Sequence, residues 1–578
     1  MSDRSETTTN GAAKAAAAEA AEALEPEADL FDLFDPMAFG QALAQVGLGL
    51  ASHPLEAFRA GARFASGLVE ASAAVAVRAV GGEAPGPAAP AAKDRRFADP
   101  TWQENPVYFG LMQAYLLSAR LSRELVEAAD LEEPAAGKAQ FAAELFVDAL
   151  APGNYLWGNP AAIKRAFETG GMSLVSGFRN FLEDLSENGG MPRQVDLSPF
   201  AVGENLAATP GKVVFRNELM ELIQYTPQTE SVFEIPLLCS PPWINKYYIM
   251  DLAPGRSFIE WAVEHGHTVF AISYRNPDES LGSVSLDEYL LRGPETALSV
   301  VEEITGAPQT NVAGLCIGGT LTAMLLAQFA VAGAERVRSA TLLNTLVDFS
   351  DPGPLGAFAD AKAVSGLTRK MERRGYLDGA EIARTFNVLR ANDLIWSYVG
   401  SNWLMGEQPP AFDILAWNAD STRLPAALHS FYLRSCYVDN EFARGELELD
   451  GARLDPAAIA PDLYVLAAKE DHIAPWRSSF EAVRLFSGSD VRFVLTSSGH
   501  IAGIVNPPSA KSSHWTDGKP AADSESWFAS ATRHQGSWWE DWATWAEARA
   551  GGRREAPPLG SEAHPVLGDA PGTYVHEK

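Results

Sequence analysis

The segment Asn311-Val312-Ala313-Gly314-Leu315-Cys316-Ile317-Gly318-Gly319-Thr320 constrains this chain more than any other stretch. It reads as a short apolar strand, a tight glycine-flanked corner, and the start of a helix carrying Leu321, Met324, Leu325 and Phe329 at helical spacing. A residue at such a corner sits in a strained turn with its side chain held out over the sheet edge, and the glycines let neighbouring backbone pass close beneath it. The usual pattern is G-x-S-x-G; here Cys316 takes the serine position and a second glycine follows Gly318. The helix that starts there aims its N-terminal dipole at the sulfur, which favours thiolate over thiol. The backbone N–H of Ile317 is placed to donate to an oxyanion. The same residues also fit a buried cysteine in an ordinary strand-to-helix turn, because free cysteine is among the most buried residue types.

The surroundings decide which sheet this corner belongs to. From residue 212 onwards short apolar runs alternate with helical patterns. Strands are expected at 212–215, 220–225, 232–238, 268–272, 340–343, 463–466 and 491–495, with helices at 257–265 and 286–304. That alternation predicts a mostly parallel sheet covered by helices on both faces. Pro236 sits badly in a central strand. The alternation stops near Asp348 and resumes at 463. The residues between, with an insertion expected over about 348–445, are helical and rich in aromatics such as Trp396, Trp403, Trp417 and Tyr432. An insertion of that size reads as a lid over the catalytic corner, or as extra helices on the sheet flank. Near the C-terminus Trp538, Trp542 and Trp545 form a stripe suited to packing.

Before the sheet the pattern is helical. Residues 1–30 are Ser, Thr, Ala and Glu with little to bury and read as a disordered tail. Helical stripes run from 36 to about 80, broken at Pro54, and face either a core or a surface. A Pro/Gly/Ala linker lies near 81–97. Helices are then expected at 111–129, 139–150 and 160–185, giving a helical N-terminal domain over 31–205 ahead of a catalytic domain over 206–578.

A net charge of −29 argues against nucleic acid or an anionic membrane as partner. Three scattered cysteines and no C-x-x-C or H-E-x-x-H suit a reducing cytoplasm rather than a disulfide framework or a metal centre. No signal peptide and no transmembrane run of about 20 apolar residues are expected.

A cysteine nucleophile needs a base within reach and a third group to orient that base. In a doubly wound sheet of this kind both come from loops after the last strands, in the order nucleophile, acid, histidine. The run 463–466 leads into Lys469-Glu470-Asp471-His472, and 491–495 leads into Ser498-Gly499-His500. Cys316, Asp471 and His500 are therefore the expected triad. His472 competes for the base role and Glu470 for the acid; beside the acid, His472 better suits a supporting contact. The second oxyanion donor is expected from Pro241-Pro242-Trp243-Ile244-Asn245, where only Trp243, Ile244 or Asn245 has an amide to give; Ile244 is the central candidate. Moving an acyl group from a thioester onto a thiol is close to thermoneutral, so a cysteine suits acyl transfer to a hydroxyl better than hydrolysis.

Several longer motifs then point to a family. Gly314-Leu315-Cys316-Ile317-Gly318-Gly319, Pro241-Pro242-Trp243-Ile244-Asn245-Lys246-Tyr247-Tyr248, Tyr274-Arg275-Asn276-Pro277-Asp278, Phe412-Asp413-Ile414-Leu415-Ala416-Trp417-Asn418, Glu470-Asp471-His472-Ile473-Ala474-Pro475-Trp476, Ser498-Gly499-His500-Ile501-Ala502-Gly503 and Ser513-His514-Trp515 occur in order. Together they resemble polyhydroxyalkanoate synthases, from about residue 100 to the C-terminus. The resemblance implies an α/β-hydrolase fold with a large lid insertion, preceded by a mostly α-helical N-terminal domain. It also implies a polymerase of (R)-3-hydroxyacyl-CoA thioesters, most readily 3-hydroxybutyryl-CoA, that releases CoA and extends a polyester. Cys316 would then be the acylated thiol and His500 its base, with Asp471 orienting His500 or deprotonating the incoming hydroxyl. Asp251, near the entrance, and Trp417 would be supporting residues. No metal or bound cofactor is implied. A class I homodimer is, in the cytoplasm and on the polymer granule surface, with granule-associated proteins meeting the N-terminal domain. Two other readings predict different outcomes: a cysteine-type α/β-hydrolase thioesterase, and a non-catalytic granule-associated protein.

Overall fold

From residue 211 onwards the apolar runs pair into one eleven-stranded sheet in the computed structural model, which describes residues 36–91, 94–518 and 523–578. The tail expected over 1–30 lies outside the described residues. In chain order the strands are β1 (Gly211–Arg216), β2 (Met220–Tyr225), β3 (Leu237–Ser240), β4 (Val269–Tyr274), β5 (Thr310–Leu315), β6 (Val337–Leu343), β7 (Asp462–Ala468), β8 (Val491–Thr496), β9 (Ser513–Thr516), β10 (Thr532–Gln535) and β11 (Gly568–Asp569). Across the sheet they run β10-β9-β8-β7-β6-β5-β3-β4-β2-β1-β11. The stretch from β4 through β3, β5, β6 and β7 to β8 is parallel throughout. The strands outside it pair antiparallel at both ends. This is the mostly parallel sheet that the strand-helix alternation predicts, in the α/β-hydrolase architecture that the resemblance implies, widened by β9 to β11, which no apolar run announces.

Every residue of β5 is buried, as expected of a central parallel strand covered on both faces. Alternate residues feed two apolar layers: Leu238, Val312, Leu342 and Val465 on one face, and Leu237, Ala313, Leu343 and Leu466 on the other. The parallel strands all end at one edge, so the loops after Ser240, Leu315, Leu343, Ala468 and Thr496 emerge together. The tryptophan helix closes the second face. Trp538 and Trp539 donate their indole N–H groups to the Gly503 and Ile504 carbonyls at 2.7 and 2.9 Å, and Trp542 donates to Thr341 Oγ1 at 2.9 Å.

The helix expected over 160–185 is two, Pro160–Glu168 and Met172–Glu187, parted where Gly170 and Gly171 take positive φ. Two further elements differ from their sequence reading, each at a proline. The run 232–238 is split: Val232–Phe233 pairs with Arg553–Arg554 outside the main sheet, and β3 begins only at Leu237. Pro236 lies at the break, where a strand would lack a ladder donor. The helix expected over 286–304 is two, Leu286–Leu290 and Thr296–Thr305, interrupted where Gly293 leaves helical geometry before Pro294.

The N-terminal region is helical, with α1 (Pro36–Ser52) and α2 (Pro54–Ala79) parted at Pro54, then α3 (Pro106–Ala128), α4 (Ala135–Ala149) and α5 (Met172–Glu187). Helix α5 is bolted to the insertion between β6 and β7. An added Cβ on Gly177 would collide with the Trp403 carbonyl oxygen. Asn180 donates to the Asn402 and Glu407 carbonyls, each at 3.0 Å. The buried Asp184 carboxylate accepts from Trp403 Nε1 and Arg193 Nε, both at 2.8 Å. Asp184→Ala leaves that indole without its acceptor and the half-exposed Arg193 guanidinium with Glu183 alone, and destabilises the chain by about 1–3 kcal/mol. The check is thermal melting, where an unchanged Tm would contradict this anchoring.

Candidate active site

Strand β5 ends at Leu315, and helix α6 (Ile317–Ala332) starts one residue after it ends. Cys316 bridges them at φ 52°, ψ −122°, a backbone conformation that costs about 1–3 kcal/mol in a non-glycine residue. Its N–H donates to the Leu343 carbonyl at 2.9 Å, and its carbonyl accepts from the Gly319 and Thr320 N–H groups at 2.9 and 3.1 Å. The flanking glycines give this turn its room. An added Cβ on Gly314 would sit 2.6 Å from the Gly319 Cα, and one on Gly318 would collide with the Pro241 carbonyl. Loop 241–246 thus lies directly against the helix start. The Ile317 amide is the first of α6, among those no intrahelical carbonyl can satisfy.

Asp471 and His500 come from the loops after β7 and β8, and both are buried. His500 Nδ1 is 2.6 Å from Asp471 Oδ2, which leaves Nε2 for the sulfur. Burial alone would push the imidazole down; Asp471, and then Cys316 as charge and hydrogen-bond partner, outweigh it and hold His500 well above its ordinary value. The other carboxylate oxygen of Asp471 accepts the Ile473 and Ala474 amides at 2.8 and 2.9 Å. Both oxygens are therefore taken. His472, one residue on, keeps a buried Nδ1 without a hydrogen-bond partner, and burial followed by the Arg390 charge lowers it to about 4. It is an uncharged neighbour, not a partner of the acid. Glu470 is exposed.

Of the three amides offered by loop 241–246, that of Asn245 is engaged, donating to Thr422 Oγ1 at 2.8 Å. Trp243 and Ile244 remain as the candidates that the sequence offers for the second donor. The insertion grips this loop. Thr422 Oγ1 also reaches the Trp243 carbonyl, and Trp417, on α7 (Asp413–Ala419), donates its indole N–H to the Lys246 carbonyl at 2.8 Å. Lys246 is itself buried, which lowers its amine, and Nζ donates to the Glu577 carbonyl at 2.6 Å. Thr422 carries no sequence signal, since a threonine in a loop is unremarked by any pattern. Asp251 makes its hydrogen bonds to residues outside the triad. It is 1% exposed, accepts from Thr209 Oγ1 and Ser257 Oγ at 2.5 and 2.7 Å, and is pushed up by burial. Its hydrogen bonds fix the turn before helix Phe258–Glu264.

Aromatic side chains from the insertion share the apolar cluster that Cys316 packs against, Tyr432 within it and Tyr437 beside it. Burial and then Cys316 raise the Tyr437 hydroxyl, whose ring lies 4.8 Å from that of Phe349. Tyr432 packs edge-on to Trp243 at 5.5 Å.

Residues 93–262 match the family model described as Poly-beta-hydroxybutyrate polymerase (PhaC) N-terminus, and residues 252–507 match that of the alpha/beta hydrolase fold. A Poly(3-hydroxyalkanoate) polymerase of Methylorubrum extorquens is 46% identical over 494 residues, covering 85% of this chain and 82% of that protein. The polymerase subunit PhaC of Rhizobium meliloti is 44% identical over 490 residues, covering 83% and 79%. That of Cupriavidus necator is 42% identical over 495 residues, covering 84% and 83%. Matches of this identity and coverage span the helical region, the sheet and the insertion alike, and the chain belongs to the poly(3-hydroxyalkanoate) polymerase family of acyltransferases.

Proposed function

We propose that this chain polymerises (R)-3-hydroxyacyl-CoA, with 3-hydroxybutyryl-CoA as the preferred monomer, through an acyl thioester on Cys316. The observation that carries the reading is the sulfur at a strained corner beside a buried imidazole whose far nitrogen is held by Asp471. Cys316 Sγ attacks the thioester carbonyl as its proton passes to His500 Nε2. The Ile317 N–H and one amide of loop 241–246 (Ile244 is the central one) take the oxyanion. Collapse breaks the bond to the CoA sulfur, which leaves with the proton from His500. A 3-hydroxyl group of another unit then gives its proton to His500 and attacks the acyl carbon. The C–O bond forms, the C–S bond to Cys316 breaks, and the returning proton restores the thiol. That both Asp471 oxygens are occupied favours His500 over Asp471 as base for the hydroxyl.

In this reading the insertion between β6 and β7 is a lid: it carries Tyr432, in the apolar cluster that Cys316 packs against, and Tyr437, packed against the same cluster. The division into a helical N-terminal domain and a catalytic domain is part of the same proposal. So are the homodimer, the cytoplasmic location and the association with granules. On α5 the residues Met172, Val175, Phe178, Leu182 and Leu185 form an exposed apolar stripe suited to a polymer surface or a granule-associated protein. No helix among the described residues is long and apolar enough to cross a membrane.

Supplied with 3-hydroxybutyryl-CoA, the protein should release CoA together with insoluble polyester. Release of free hydroxy acid without polymer would identify a thioesterase instead. Cys316→Ser keeps the turn but loses nearly all turnover; near-normal polymerisation by that variant contradicts the thiol mechanism. His500→Ala lowers acylation by about 10⁴-fold or more, by analogy with hydrolase triads. Asp471→Asn removes the charge that raises His500 while burial persists, so the imidazole titrates at lower pH and loses its proton earlier as pH rises. Turnover falls about 10³–10⁴-fold with it. Carbon-13 labelling of histidine reads the midpoint by NMR, and an unmoved midpoint would show that Asp471 is not the partner.

A further inference from the structure

Asn344 has no part in the chemistry just described, yet it bonds to the His500 backbone and to the strand that leads to Asp471, and the residue before it accepts the Cys316 N–H. It is the first residue after β6, has no exposed surface, and holds φ at +45°, in the left-handed region. Leu343, immediately before it, accepts the Cys316 N–H through its carbonyl at 2.9 Å. The Asn344 N–H donates to the Leu466 carbonyl at 2.9 Å, on the strand that leads to Asp471. Its side-chain Nδ2 donates to the main-chain carbonyl of His500 at 2.5 Å. The next residues continue the pattern. An added Cβ on Gly319 would collide with Thr345 Oγ1, and Thr320 Oγ1 donates to the Leu346 carbonyl at 2.8 Å. One buried turn thus touches the start of the nucleophile helix, the end of the acid strand and the histidine backbone.

We infer that Asn344 is a positioning residue that sets the distance between His500 and Cys316 by tethering the His500 carbonyl from below. His500 begins a helix of only five residues, Gly499 before it supplies no side-chain cap, and its ring is fixed by Asp471 on one side. Without a second restraint on its backbone, the imidazole could keep its bond to Asp471 and still swing away from the sulfur. The Asn344 amide supplies that restraint. A left-handed backbone explains why the residue is asparagine: its short polar side chain tolerates φ above zero and still carries an N–H donor, whereas glycine offers the backbone without the donor. Aspartate also tolerates the backbone and has the same outline, but offers an acceptor in place of the donor.

The inference rests on the acyl-cysteine reading, and the experiment separates the two. Asn344→Gly, Asn344→Asp and Cys316→Ala are compared with the full-length unsubstituted chain for CoA release from 3-hydroxybutyryl-CoA, for iodoacetamide alkylation of Cys316 across pH, and for thermal melting. Asn344→Gly should melt cooperatively and lose about 10–100-fold in kcat with KM little changed, as expected of an angstrom-scale misplacement. Its Cys316 alkylation profile should shift along the pH axis, since the imidazole no longer stands beside the sulfur. Asn344→Asp should be impaired at least as much. If only the shape of the turn matters, both variants keep kcat within two-fold of the unsubstituted chain and the inference is overturned. An Asn344→Gly chain that fails to melt cooperatively makes Asn344 a folding determinant and overturns it equally. Full activity in Cys316→Ala would instead remove the acyl-cysteine reading itself.

Discussion

The turn at Cys316 is held against its own preference, and the rest of the site is arranged around that. A cysteine at φ 52° persists because its amide is tied to Leu343 and its carbonyl to the first turn of α6. The strain aims the sulfur out over the sheet edge and leaves the Ile317 amide free of helical bonding. It also dictates composition nearby. Gly314, Gly318 and Gly319 are glycines because Gly319 itself, Pro241 and Thr345 occupy the space where a Cβ would go. Close approach at Gly318 is what brings loop 241–246 against the start of α6.

That second loop is built less from its own sequence than from what clamps it. Thr422 and Trp417 hold it from the insertion, and the Glu577 carbonyl holds Lys246 from the C-terminal segment. The insertion is in turn tied to α5 through Asn180 and Asp184. Hydrogen bonds therefore connect α5 to the insertion and the insertion to loop 241–246.

Much of this was legible in the residues. The glycine pattern located the corner, the alternation of apolar runs gave the parallel sheet, and the order of Asp471 and His500 after late strands placed both at one edge. What stayed hidden depended on contacts distant in sequence. Pro236 warned of a poor strand, but only Arg553–Arg554, far along the chain, shows where Val232–Phe233 pairs instead. Between His472 and His500 the sequence favours His500 from its place after a late strand; the contact that bears on the choice, His500 Nδ1 to Asp471 Oδ2 at 2.6 Å, joins residues 29 apart in the chain. Thr422 and Asn344 are small polar residues in turns, and nothing local distinguishes them from many others. Asp251 is expected near the entrance, yet its hydrogen bonds run to Thr209 and Ser257.

The central claim is that a single sulfur carries the acyl group between transfers. Rapid mixing of the protein with isotopically labelled 3-hydroxybutyryl-CoA, acid quenching and peptide mapping by mass spectrometry test it most directly. The account predicts that the label appears as a thioester on the peptide containing Cys316 before polymer accumulates. Label on a different residue, or polymer growth with Cys316 unmodified at every time, would contradict it.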